Sequence, residues 1–233
     1  MGNKSKELVL KTAVAVAFVA MVVVNYLAQM LPINGVNPGQ VSDSLPNLFA
    51  PAGLTFSIWG LIYLLLAVFT VYQFFYKPEE GQRSLDGVRV VFILTSLFNI
   101  AWIFSWHYRA FILSMALMLA LLVSLIVINH MLDARRLTGM KKAVIALPFS
   151  IYFGWITVAT VANATALLVS LGWDRFGLPE EFWAVVVLLV AMGIGNAAMI
   201  TRKDVAYGLV LLWAYAGILL KHEIGRASCR ERV

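Results

Sequence analysis

The chain has 233 residues, 61% hydrophobic and 13% charged, with a mean hydropathy of +0.85. A soluble core wrapped in a charged surface does not have this balance, so the class is an all-α, polytopic membrane helix bundle. The formal net charge of +6 is clustered between apolar runs, so it reports orientation in a bilayer and argues against a nucleic-acid partner. The single cysteine, Cys229, excludes an internal disulfide and a cysteine-rich metal site.

The chain opens MGNKSKE, with Lys6 where N-myristoylation needs Ser or Thr. Leu8 to about Met30 is the first span; it exceeds a signal-peptide core and lacks a small-residue cleavage site, so it is read as retained. Pro32 to Ala50 is a loop rich in Asn, Pro, Gly and Ser without Lys or Arg, too long for a simple turn. Ala52 to Tyr76 is the second span, Lys77 to Arg89 a charged linker, and Val88 to Trp106 the third. Only HYR at 107–109 separates the third from the fourth, Ala110 to Leu132, which makes these two helices antiparallel neighbours. The basic loop Asp133 to Lys142 leads to the fifth span, Ala143 to about Leu171, whose length suggests tilt or a kink with Pro148 as a ready cause. After the loop Gly172 to Glu180 come Glu181 to Ile200 and then Asp204 to Leu220, which is short for a hydrocarbon core about 30 Å thick. The polar segment EIGRASCRERV, Glu223 to Val233, resembles a translated sequencing adapter and is read as a non-native tail. The expected organisation is a five-helix domain over 1–171, two additional membrane helices over 172–222, and the tail over 223–233.

With seven crossings, Lys4, Lys6, Lys11, Lys77, Arg83, Arg89, Arg135, Arg136, Lys141, Lys142, Arg202 and Lys203 share one side. Arg109, Arg175 and Lys221 fall on the other. The positive-inside rule then places the N-terminus in the cytoplasm and the Pro32 to Ala50 loop outside.

Nearly every span lacks an ionisable residue in its middle, which disfavours pumping and ion conduction. The last span also lacks the lysine that a retinal protein needs. What the spans carry instead is stripes of aromatics and amides. In PFSIYFGWITVATVAN, Pro148 to Asn163, the residues Tyr152, Trp155, Ala159 and Asn163 share one helix face at 100° per residue. Thr95, Asn99, Trp102 and Trp106 do so in the third span, and Phe56, Trp59 and Tyr63 in the second. Given the orientation, Trp59, Trp102 and Asn163 lie in the outer half of the bilayer and Tyr152 and Trp155 nearer its middle, and the three stripes are expected to converge on one cavity under the external loop.

Other positions have more ordinary readings. Trp106, Trp173 and Trp183 sit at span ends, where interfacial belts account for them. Asn25, Asn129 and Asn196 are lone amides suited to interhelical hydrogen bonds, and Gly193 and Gly195 suit close helix approach. His107 in a short loop and His130 at a helix end are read as solvated residues. Asn163-Ala-Thr165 matches a glycosylation pattern but lies inside a span. No catalytic arrangement and no metal-ligand cluster is visible, so an enzyme is the less favoured class.

The stripes resemble those of the TspO/MBR family, the tryptophan-rich sensory proteins related to the translocator protein, also called the peripheral benzodiazepine receptor. The resemblance rests on Tyr152, Trp155, Ala159 and Asn163 in the fifth helix, Asn99 and Trp102 in the third, and Trp59 and Tyr63 after Pro51 in the second. It covers about Leu8 to Leu171, and PAGLTFSIWGLIYL looks like a longer, seven-span bacterial subgroup of that family. Two features depart from the pattern: the proline that directly precedes the fifth-helix Tyr is displaced to Pro148, and the Trp-x-Pro-Pro entry to the second helix is reduced to Phe49-Ala50-Pro51.

The resemblance implies a five-helix bundle in the bacterial inner membrane. Its cavity would bind tetrapyrroles such as haem or protoporphyrin, sterols, or synthetic aromatic ligands beneath the first loop, and no cofactor would be required. The residues that would line this site are Trp59, Tyr63, Asn99, Trp102, Tyr152, Trp155, Ala159 and Asn163. A sensor or carrier for a flat hydrophobic ligand is the leading function. A permease for a lipophilic solute, favoured by the two extra spans, and a porphyrin-degrading enzyme with Trp and Tyr as redox partners are the alternatives. The expected partners are the lipid bilayer and a hydrophobic small molecule, and a homodimer is left open.

Overall fold

The computed structural model describes residues 2–31, 33–45, 48–77, 84–135 and 137–230, and among them every regular element is helical. Arg83, Arg136 and 231–233 lie outside the described residues, as do the side chains of 224–230, Cys229 included. The helices are α1 Gly2–Met30, α2 Pro38–Asp43, α3 Ile58–Phe75, α4 Asp86–His107, α5 Phe111–Asp133, α6 Leu147–Ser170, α7 Glu180–Arg202 and α8 Val205–Arg230. Six of them, α1 and α3 to α7, contain stretches long and apolar enough to cross a bilayer. The apolar part of α8, Val205–Lys221, is shorter and extends about 25 Å at 1.5 Å per residue.

Neighbouring helices close a ring in the order α1, α3, α6, α5, α4 and back to α1. The tight connection between α4 and α5 produces the expected antiparallel pair: Arg109 takes a left-handed φ of 56°, and the amide of Ala110 donates to Ser105 O at 2.9 Å. Phe69, Phe92 and Phe149, all fully buried, meet edge to face at 4.8–5.8 Å between ring centroids. They fill the ring from α3, α4 and α6.

Polar residues gather at the two ends of the bundle. One end joins the start of α1 to the end of α3 and the start of α4: Gln73 Nε2 donates to Lys11 O at 3.3 Å and Arg89 Nε to Gln73 Oε1 at 3.1 Å. The other end carries the first loop, where Asn34 Nδ2 donates to His107 O at 3.1 Å. Lys221 Nζ also reaches Asp43 there, at 3.3 Å. The apolar part of α8 therefore runs from one polar end to the other.

The helices α7 and α8 stand outside the ring. At Gly154 an added Cβ would meet Tyr207 O and Val210, so α8 packs closely on α6 there. At Gly217 it would meet the Thr55 side chain, where Ala52 N donates to Gly217 O at 3.0 Å. Gly195 allows an approach of the Leu211 side chain that a Cβ at this position would block, whereas Gly193 faces open space. The α7–α8 turn is clamped to the ring by Arg202, whose Nη2 donates to Asn129 Oδ1 at 3.0 Å and Asp133 Oδ1 at 3.2 Å. Ser150 Oγ donates to Asp204 Oδ2 at 2.6 Å beside it.

Two local features go beyond the expected elements. Pro148 sits buried in the first turn of α6, directly after a π-helical segment, Lys142–Ala146. Proline offers no N–H to the preceding turn, and the wider π segment accommodates the interrupted ladder. Within the long first loop lies the short helix α2, capped by a reciprocal box: Gln40 N donates to Asn37 Oδ1 at 2.9 Å and Asn37 N to Gln40 Oε1 at 2.8 Å. Val41, fully buried, packs α2 against Trp106 and Ala166, which fastens the loop over the ends of α4 and α6.

Candidate functional site

Under this loop lies a cavity of about 630 Å³. Of the residues named from the sequence, Trp59, Tyr63, Trp102, Trp155, Ala159 and Asn163 line it. They come from α3, α4 and α6, the three helices that carry the stripes. Trp59 is the hub of the aromatic wall: it stacks on Tyr63 at 5.5 Å and 23°, and meets Trp155 edge to face at 6.3 Å and 83°. Phe56 closes on Trp155 at 5.9 Å. On the facing wall Trp102 stacks on Trp106 at 5.8 Å and 23°.

Asn99 and Tyr152 stand behind the wall. Both are fully buried, and they form one chain of hydrogen bonds: Asn25 Nδ2 donates to Asn99 Oδ1 at 2.7 Å, and Asn99 Nδ2 to Tyr152 Oη at 3.0 Å. This chain ties α1, α4 and α6 together, and Tyr152 then meets Trp59 edge to face at 5.7 Å. Asn163 has a similar holding role on the lining itself. Its Oδ1 accepts from Trp102 Nε1 at 2.9 Å and from Ser114 Oγ at 2.8 Å, so the indole of Trp102 is fixed in orientation. Two polar atoms of the lining are left over: Tyr63 Oη and Trp155 Nε1 are buried and have no hydrogen-bond partner among the described residues.

A family model described as TSPO-like protein matches residues 11–229, which includes the helix ring from Lys11 onward and every residue that lines the cavity. The chain belongs to the TSPO-like family. With its six apolar helices, this TSPO-like chain is a multi-pass membrane protein. Comparison with curated proteins and with solved structures finds no match.

Several residues of the TSPO-like cavity were not singled out from the sequence as its lining. Asn25, Tyr26 and Gln29 of α1 reach it, as do Asn37 and Pro38 of the loop. The capping pattern Asn37-Pro38-Gly39-Gln40 was the available signal for α2; nothing in the α1 pattern marks which face turns inward. Trp106 departs from the belt reading. It is 7% exposed, and its Nε1 donates to Pro38 O at 3.1 Å, so it anchors the loop over the cavity. His107 is fully buried rather than solvated, with Nδ1 2.7 Å from Ile103 O. Of the lone amides, Asn25 and Asn129 make the interhelical bonds expected of them, to Asn99 and Phe149 O, while Asn196 lies on the exposed face of α7.

Proposed function

We propose that the chain is a membrane sensor or carrier that holds a flat, hydrophobic ligand of the porphyrin or sterol class in the cavity under the first loop. One observation supports this most: an aromatic-walled space of about 630 Å³ whose lining keeps two buried polar atoms, Tyr63 Oη and Trp155 Nε1, without partners among the described residues. A mostly apolar pocket with a few placed polar groups is the usual form of a small-molecule site. An unpartnered buried N–H or hydroxyl costs about 1 to 3 kcal/mol, so an occupant that supplies acceptors there recovers that energy. Haem and protoporphyrin combine flat apolar faces with acceptor groups.

Protoporphyrin added to the purified protein is expected to quench tryptophan fluorescence saturably, because Trp59, Trp102 and Trp155 surround the ligand. Trp155→Ala is expected to weaken the affinity about tenfold or more, since it removes a stacking face and a donor together. Unchanged affinity in Trp155→Ala removes this cavity as the binding site.

The proposed setting is the bacterial inner membrane, crossed seven times with the N-terminus in the cytoplasm. It is supported by the gathering of Lys11, Arg89 and Arg202 near one end of the bundle and by the absence of Lys and Arg from residues 32–50. A periplasm-dependent phosphatase fused after Ser44 is expected to be active and one fused after Lys77 inactive; the reverse pattern inverts the orientation.

A further inference from the structure

A second cavity, of about 540 Å³, lies at the first-loop end between α6 and the start of α7. It is separate from the first. Leu48 and Phe49 line it whereas Ala50 and Pro51 line the other, so this segment passes between the two. Its apolar part is formed by Leu168, Val169 and Val187, and its polar part by Asp174, Arg175 and Glu180.

The loop that forms the polar part is firmly built. Asp174 Oδ1 accepts from Phe176 N at 2.9 Å, which holds Arg175 and Phe176 at left-handed φ values of 59° and 54°. Trp183 Nε1 donates to Arg175 O at 2.9 Å, and Trp183 meets Trp173 edge to face at 4.7 Å. Arg175 Nη1 donates to Glu180 Oε2 at 3.2 Å, with both side chains more than a third exposed. A belt of interfacial tryptophans explains Trp173 and Trp183 by themselves. It does not explain a cavity beside them that is apolar on one side and carries both signs of charge on the other.

We propose that this cavity is a lipid site, which takes a zwitterionic aminophospholipid from the bilayer leaflet on the first-loop side. The acyl region lies on Leu168, Val169 and Val187. The phosphate takes the guanidinium of Arg175, a planar donor suited to it. The ammonium takes the carboxylates of Asp174 and Glu180 and the ring faces of Trp173 and Trp183. Two carboxylates against one guanidinium leave the polar part net negative, so a headgroup with a phosphate alone is matched worse than one that adds a positive charge. The site depends on α7 and stands independently of what the first cavity holds.

Native mass spectrometry of the full chain tests this, with phosphatidylethanolamine, phosphatidylglycerol and diacylglycerol of identical acyl chains each added at equal concentration. The phosphatidylethanolamine adduct is expected to exceed the phosphatidylglycerol adduct about threefold or more, the scale of exposed charge and cation–π contacts. Glu180→Gln is expected to reduce that preference, and Arg175→Gln to lower both phospholipids toward the diacylglycerol level. Both side chains are partly exposed, so the fold is retained, and unchanged thermal unfolding verifies it. Equal or reversed adducts of the two phospholipids overturn the proposal, as does diacylglycerol binding as well as they do. A preference that survives unchanged in both variants overturns it too.

Discussion

Arg89→Ala is expected to remove about 2 to 4 kcal/mol of stability, chiefly through the buried Gln73 acceptors that lose their donor. Arg89 is 1% exposed at the start of α4. Its Nε donates to Gln73 Oε1 at 3.1 Å, its Nη2 to Gln73 O at 3.3 Å, and its Nη1 to Asp86 Oδ1 at 2.6 Å. Gln73, itself fully buried, passes the connection to α1 by donating to Lys11 O at 3.3 Å. Glu7 of α1 lies 3.8 Å from the guanidinium as well. Alanine would leave two acceptors of Gln73 without donors and open a void at the junction of three helices. Arg89→Lys is expected to fall between, because an ammonium restores charge but not the separate Nε and Nη2 bonds. Lys6→Ala, at an exposed basic position on the same end, is expected to stay within about 0.5 kcal/mol. Thermal unfolding in detergent, followed by tryptophan fluorescence, checks the order; Arg89→Ala and Lys6→Ala behaving alike would contradict it.

Arg89 also shows where reading the sequence stops. As one of twelve basic residues on a common side it is visible from charge asymmetry alone, but that rule treats every one of them as a solvated cation. Whether a guanidinium is buried depends on partners such as Gln73 on another helix, and local pattern does not encode that pairing. The helices themselves were readable because membrane spans have a strong, length-limited apolar signal. Their observed ends fall within a few residues of those expected, apart from the starts of α1 at Gly2 and α3 at Ile58, each six residues from the expected Leu8 and Ala52, and α8, which continues to Arg230. Stripe periodicity was enough to bring Trp59, Tyr63, Trp102, Trp155, Ala159 and Asn163 onto one cavity. It placed Asn99 and Tyr152 on the same faces, yet a helix face is wider than a cavity wall. Those two turn toward Asn25 and each other instead. For Trp106 and His107, position at a span end argued for exposure; the lid formed by α2 covers that end, and only tertiary structure reveals a lid.

The largest expected effect on ligand binding comes from Asn163→Leu, and it acts through Trp102. Asn163 is 2% exposed, and its one carbonyl oxygen satisfies two buried donors, Trp102 Nε1 and Ser114 Oγ. Leucine has similar size but no acceptor, so both donors lose their partner at about 1 to 3 kcal/mol each. Trp102 is then free to swing its indole toward another acceptor, which disturbs its stack on Trp106 and the wall that faces Trp59. Protoporphyrin affinity is expected to fall about tenfold to a hundredfold, together with thermal stability. Tyr63→Phe separates the two effects. Its hydroxyl has no partner among the described residues, so its removal is expected to leave the ligand-free protein equally stable or more so, while the affinity falls several-fold. Titration of both variants beside unfolding scans is the check. If Tyr63→Phe lowers stability as Asn163→Leu does, the hydroxyl has a structural partner and its assignment to the ligand fails. If Tyr63→Phe leaves both stability and affinity unchanged, the ligand draws on Trp155 Nε1 alone among the two unpartnered atoms.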